Sequence, residues 1–189
     1  MAQATAILRH EHEAVGHMLG AAEAAAGRLE RNEPVRPEVL ENIQEFFALF
    51  VDQCHHGKEE EIFFPALAKR GLPVEGGPIA VMLLEHEEGR ELVAQLGDFA
   101  RAYAKGEAGA GVAWARAARR YARLLSEHIW KENSVLFPMA EGILSPEEQN
   151  SLAAEFERLE IDKMGAGTHE RLHARMAQIL KEVAAPAAR

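Results

Sequence analysis

The stretch that decides the fold is His55-His56-Gly57-Lys58-Glu59-Glu60-Glu61-Ile62-Phe63-Phe64-Pro65. It returns as His128-Ile129-Trp130-Lys131-Glu132-Asn133-Ser134-Val135-Leu136-Phe137-Pro138. Aligned on their prolines, both copies read His-x-x-Lys-Glu-x-x-Φ-Φ-Phe-Pro, where Φ is aliphatic or aromatic. On a helix, His55 and Glu59 fall one turn apart, as do His128 and Glu132, with Cβ atoms roughly 5–6 Å from each other. One helix can thus offer an imidazole and a carboxylate to one metal, and two such pairs point to a two-metal centre.

Outward from the first copy, the periodicity predicts a helix from about Glu38 to Lys69. Its apolar stripe runs through Leu40, Phe47, Val51, His55, Glu59, Ile62 and Ala66. A rival stripe through Gln53, His56 and Glu60 is more polar, so His55 with Glu59 is preferred to His56 with Glu60. The repeat makes the same choice, because only His55 and Glu59 align with His128 and Glu132. The second copy ends a helix from about Val112 to Phe137, whose stripe holds Trp114, Tyr121, Leu124, His128 and Glu132.

Two more amphipathic helices run from about Ala6 to Leu29 and from about Ile79 to Lys105. Each has one histidine in its apolar stripe: His12 between Leu8 and Val15, and His86 between Met82 and Val93. Both histidines follow a glutamate, as Glu11-His12 and Glu85-His86. Proline and glycine punctuate the gaps at Pro34 and Pro37, at Gly71 to Pro78, and at Gly106 to Gly111. Ser145-Pro146-Glu147-Glu148 is a helix start, with a serine cap, a proline first and a glutamate third. It opens a fifth helix to about Ile161, and Thr168 caps a last one to about Val183.

Long helices joined by short loops predict an all-α fold, an antiparallel up-down four-helix bundle over residues 1–142. Residues 143–189 are expected to form a C-terminal helical extension packed on the bundle or on a partner subunit. The 189 residues suit one domain. A formal net charge of −9 with no basic stripe argues against a nucleic-acid partner. No apolar run reaches the roughly 18 residues of a membrane span, and the N-terminus has no apolar signal core. With Cys54 as the single cysteine, a cytoplasmic protein is the expectation, monomeric or homodimeric.

In such a bundle His12, His55, Glu59, His86, His128 and Glu132 converge. Burying these groups without partners would cost several kcal/mol for each charge, a cost that bound metal removes. Four imidazoles and two carboxylates exceed the usual four ligands of a structural zinc. They suit two metals roughly 3.5–4 Å apart with bridging glutamates. Nitrogen and oxygen donors without thiolate favour iron or manganese, with zinc as a possible substitute.

The strings Glu11-His12, His55-x-x-Lys58-Glu59-x-x-Ile62-Phe63-Phe64-Pro65, Glu85-His86 and His128-x-x-Lys131-Glu132-x-x-Val135-Leu136-Phe137-Pro138 resemble the hemerythrin HHE cation-binding family. The resemblance covers about residues 5–142 and implies a non-haem bridged di-iron centre with the six named residues as ligands. Oxygen-carrying members have a His-x-x-x-His pair on the third helix, where this chain has His86 and Arg90. They also end with His-x-x-x-x-Asp on the fourth, where this chain has His128-x-x-x-Glu132. The expectation is therefore a more symmetric four-histidine, two-glutamate site with open coordination, binding a small diatomic or peroxide ligand. Its use would be storage or sensing of oxygen or a related oxidant. The alternative is an oxidoreductase acting on peroxide or nitric oxide, or an iron donor that repairs damaged iron centres.

Some features point elsewhere. His169-Glu170-Arg171-Leu172-His173 matches the zinc-protease motif, yet no third ligand follows, so a surface helix with an adventitious metal pair is expected. Lys58 and Lys131 are expected to pair with neighbouring glutamates in solvent. Tyr103 and Tyr121 lie on inward stripes, within possible reach of the metals.

Overall fold

The computed structural model describes residues 3–165 and 167–184, except for the side chains at positions 164, 169, 170, 173 and 184. The described residues form helices and no strands. Helix α1 spans Ala4–Glu30. Helix α2 covers 37–69, with Pro37 in its first turn. Helix α3 spans Pro78–Ala104, again opening on proline. Helix α4 covers 110–143 and is entered through Gly109 in the left-handed region at φ +79°. Helices α5, Pro146–Met164, and α6, Thr168–Ala184, complete the order. The start of α5 is the capping box expected from its sequence: Glu148 N donates to Ser145 Oγ at 3.3 Å, and Ser145 N donates to Glu148 Oε2 at 2.9 Å.

Helices α2 and α4 are not uniformly α-helical. The chain takes the wider π geometry over Phe47–His56 and Glu59–Phe63, and again over Glu132–Leu136. The two shorter π segments begin on the equivalent glutamates of the repeat. A wider turn puts more residues on its inner side, and such bulges concentrate at functional sites.

Two apolar clusters fill the bundle. One gathers Leu8, Phe63, Leu67, Ile79, Leu136 and Phe137, from the starts of α1 and α3 and the ends of α2 and α4. The other gathers Leu19, Ile43, Phe47, Leu96, Trp114 and Tyr121, from the opposite ends. Leu152 and Phe156 of α5 join the first cluster, and Leu172, Ile179 and Val183 of α6 join the second. Polar side chains occupy the level between them. No helix among the described residues is long and apolar enough to cross a membrane.

Candidate metal centre

The polar level is built from one short segment of each long helix. Helix α1 brings His12, α2 brings His55 and Glu59, α3 brings His86, and α4 brings His128 and Glu132, all buried. The six residues named from the sequence therefore meet inside the bundle.

Hydrogen bonds to the outer ring nitrogens settle the tautomers. His55 Nδ1 lies 2.8 Å from Glu11 Oε2, and His128 Nδ1 lies 3.1 Å from Glu85 Oε2. His86 Nδ1 lies 2.7 Å from Glu60 Oε1. An ionised carboxylate only accepts, so each of these nitrogens carries the proton. His12 Nδ1 meets Asn133 Oδ1 at 3.1 Å. That oxygen also accepts from Arg9 at 3.2 Å, which fixes the amide orientation and makes His12 Nδ1 a donor too.

The Nε2 atoms are then left as bare lone pairs, and they point at one another. His12 and His55 Nε2 are 3.0 Å apart, and His86 and His128 Nε2 are 3.2 Å apart. Two neutral acceptors at that distance repel unless a cation lies between them. Two nitrogens each about 2.1 Å from one metal and at right angles to each other stand about 3.0 Å apart. Burial lowers the His55 pKa to about 4, which keeps that imidazole in the neutral form that binds metal.

Both carboxylates face both histidine pairs. Glu59 Oε1 lies 3.7 Å from His55 Nε2, and its Oε2 lies 3.4 Å from His86 Nε2. Glu132 Oε2 lies 3.1 Å from His12 Nε2 and 3.3 Å from His128 Nε2. All four oxygens are buried without a hydrogen-bond partner. Burial, with the Glu132 charge adding to it, pushes the Glu59 carboxyl well above the usual range. Two bridging positions between two cations relieve that penalty, so the donor set fits a pair of metals.

Behind the imidazoles the repeat is reproduced in three dimensions. Lys58 Nζ donates to Glu11, which holds His55, and Lys131 Nζ donates to Glu85, which holds His128. Burial opposes ionisation of Glu11, but the His55 hydrogen bond and the Lys58 charge hold its pKa down at about 2. Neither lysine is the solvent partner expected from the sequence. Each reaches across to a helix more than forty residues away in the chain, which no reading of its own helix would find. Lys58 also donates to Glu160 of α5 at 2.9 Å. Glu11, Cys54 and Glu160 are spaced to hold a cation, but the ammonium of Lys58 already fills that place. The Cys54 thiol is pushed up to about 12 by burial, so it stays protonated.

The choice between His55 and His56 turns out not to be exclusive. His56 is buried as well and stacks on His86 at 3.7 Å with rings 13° from parallel. Neither of its nitrogens has a hydrogen-bond partner, a deficit worth about 1–3 kcal/mol for each unsatisfied group. Adjacent residues on a helix are only about 100° apart, so both can be buried in a bundle, as Glu11 and His12 are on α1; the π geometry over Phe47–His56 widens the inner side further. A fifth imidazole thus lies beside the four expected from the sequence. Glu60, set aside with His56, holds His86 and is itself gripped by Arg90 at 2.9 and 3.0 Å.

The two tyrosines on inward stripes differ in their surroundings. Tyr103 donates to Val35 O at 3.1 Å near the far end of the bundle, away from the metal level. Tyr121 packs on Phe47 in the second apolar cluster. The protease-like motif falls on α6, where the side chains of His169, Glu170 and His173 lie outside the described residues.

The family model described as the hemerythrin HHE cation binding domain matches residues 3–140. No curated protein matches the chain.

Proposed function

We propose that this chain, which belongs to the hemerythrin HHE cation-binding domain family, binds two iron ions as a bridged centre and uses them to bind oxygen or a related small oxidant for storage or sensing. The facing Nε2 lone pairs, 3.0 and 3.2 Å apart, carry this reading. One ion would lie between His12 and His55, the other between His86 and His128, with Glu59 and Glu132 spanning both. Convergence of α1 to α4 on this level supports an antiparallel up-down four-helix bundle as its frame. Two iron ions would supply reversible one-electron chemistry and coordination open to a small ligand.

The residues around the centre favour binding over turnover. A general acid or base must be free to exchange a proton with the reacting group. Here Glu11 is tied to Lys58, Glu85 to Lys131 and Glu60 to Arg90. These carboxylates orient the imidazoles and strengthen them as donors, and none is left to relay protons. The apolar rings of Phe137 and Phe64 border His12 and His86, and Phe63 packs on Phe137 behind them, a surrounding suited to a small, weakly polar ligand.

Anaerobic loading with ferrous iron, followed by oxygen, peroxide or nitric oxide, tests the proposal through the absorption spectrum. A long-lived oxygen band that disappears on deoxygenation is expected. Rapid catalytic consumption of peroxide or nitric oxide would replace this reading with the enzymatic one.

A further inference from the structure

We infer that His56 is a fifth nitrogen donor of the centre, serving the same metal as His86 and His128, so that one metal has three imidazoles and the other two. This deepens the two-metal reading above and rests on it. Three observations carry it.

The first is the fate of the ring nitrogens. Both are buried and neither makes a hydrogen bond. The nearest acidic group, Asp52 Oδ1, is 3.7 Å from Nδ1, beyond hydrogen-bond reach, and already accepts from Arg90 at 3.0 Å. A buried imidazole used only for packing would be expected to place at least one nitrogen on a partner.

The second is position. Ligand-capable atoms of His56, Glu59, His86 and His128 all lie within 4.8 Å of one another, the same grouping found for His12, His55, Glu59 and Glu132 on the other side. The stacking of His56 on His86 aligns the two rings at one level.

The third is the repeat itself. His56 corresponds to Ile129 in the second copy, a side chain with no lone pair. The pseudo-symmetric counterpart of His56 would serve His12 and His55, and it is missing. Unequal donor sets are therefore written into the two copies.

Two measurements test the inference. Ferrous iron is titrated anaerobically into the wild-type chain and into His56→Phe, which keeps an aromatic ring against His86 and removes both nitrogens. Bound iron and the Mössbauer spectrum are followed. The wild type is expected to bind two irons giving two distinct quadrupole doublets. In His56→Phe the dissociation constant of one iron rises by roughly tenfold or more, and the doublet of the nitrogen-rich site changes. Unchanged affinities and doublets in His56→Phe would overturn the inference and leave the two-metal reading intact. Failure of the wild type to bind two irons would overturn both.

The second measurement needs no variant and decides the matter if His56→Phe does not fold. In the wild-type protein loaded with cobalt(II) and labelled with ¹⁵N-histidine, five imidazoles with large hyperfine shifts are expected. Four would make His56 a packing residue and overturn the inference.

Discussion

The two halves of the centre carry the same motif in different surroundings. In the half of His12 and His55, the supporting Lys58 is 1% exposed and roofed by α5, whose Glu160 gives it a second carboxylate. In the half of His86 and His128, the equivalent Lys131 is 33% exposed and has Glu85. The imidazoles of His12 and His86 also differ: an amide, Asn133, receives the first and a carboxylate, Glu60, receives the second. One motif, copied, therefore gives a sealed half with a neutral partner and an open half with charged partners. The difference comes from what the rest of the chain lays over each copy.

The energies of the two lysines should separate most. Lys58→Met leaves the buried Glu11 carboxylate without its cation, and a stability loss of about 3–5 kcal/mol is expected. Lys131→Met removes a partly solvated pair and should cost below about 1 kcal/mol. Urea denaturation of the two variants reads the contrast, and equal losses would erase the distinction drawn between the halves.

Chelation comes next. Metal held at about 100 times its dissociation constant adds about 2.7 kcal/mol to stability. For a chain of this size, stripping it should lower Tm by roughly 5–10 °C. Calorimetry with and without chelator checks this, and an unchanged Tm would count against a metal between the facing histidines.

Glu59 belongs to both halves, so Glu59→Ala should weaken both metals, by more than roughly 100-fold if loss of a ligand exceeds the 10–100-fold cost of losing a supporting group. The supporting groups act on one half each: Glu11→Gln should weaken the metal at His55, and Glu85→Gln the metal at His128, by about 10–100-fold. Competitive titration distinguishes one weakened site from two. The smallest effect expected is that of Asn133→Asp, which gives His12 the kind of partner His86 has. It should make the two sites more alike and tighten the His12 site by less than about tenfold.

Much of the architecture was legible in the sequence. Pro37, Pro78 and the capping box at Ser145 punctuate helices where the structure begins them. The six polar residues embedded in apolar stripes meet because an amphipathic helix must turn that stripe inward. The resemblance to the hemerythrin family is borne out by the family match. What was hidden depends on distance along the chain or on burial beyond a single stripe. Lys58 and Lys131 find Glu11 and Glu85 on other helices, and a pattern within one helix is silent about such pairs. His56 and Glu60 lie on the more polar of two neighbouring stripes and outside the repeat, and a stripe pattern does not show that a helix packed on several sides buries adjacent residues together, as α1 buries Glu11 and His12. The signal was present in their chemistry: His55-His56 and Glu59-Glu60 are paired donors in a stretch that ends on Phe63-Phe64-Pro65.

The central claim is that two cations belong between the two pairs of facing imidazoles. Anomalous diffraction from crystals of the iron-loaded protein tests it most directly. Two peaks roughly 3.5–4 Å apart are expected, one between His12 and His55 and one between His86 and His128. A single peak, or peaks elsewhere such as among Glu11, Cys54 and Glu160, would contradict it.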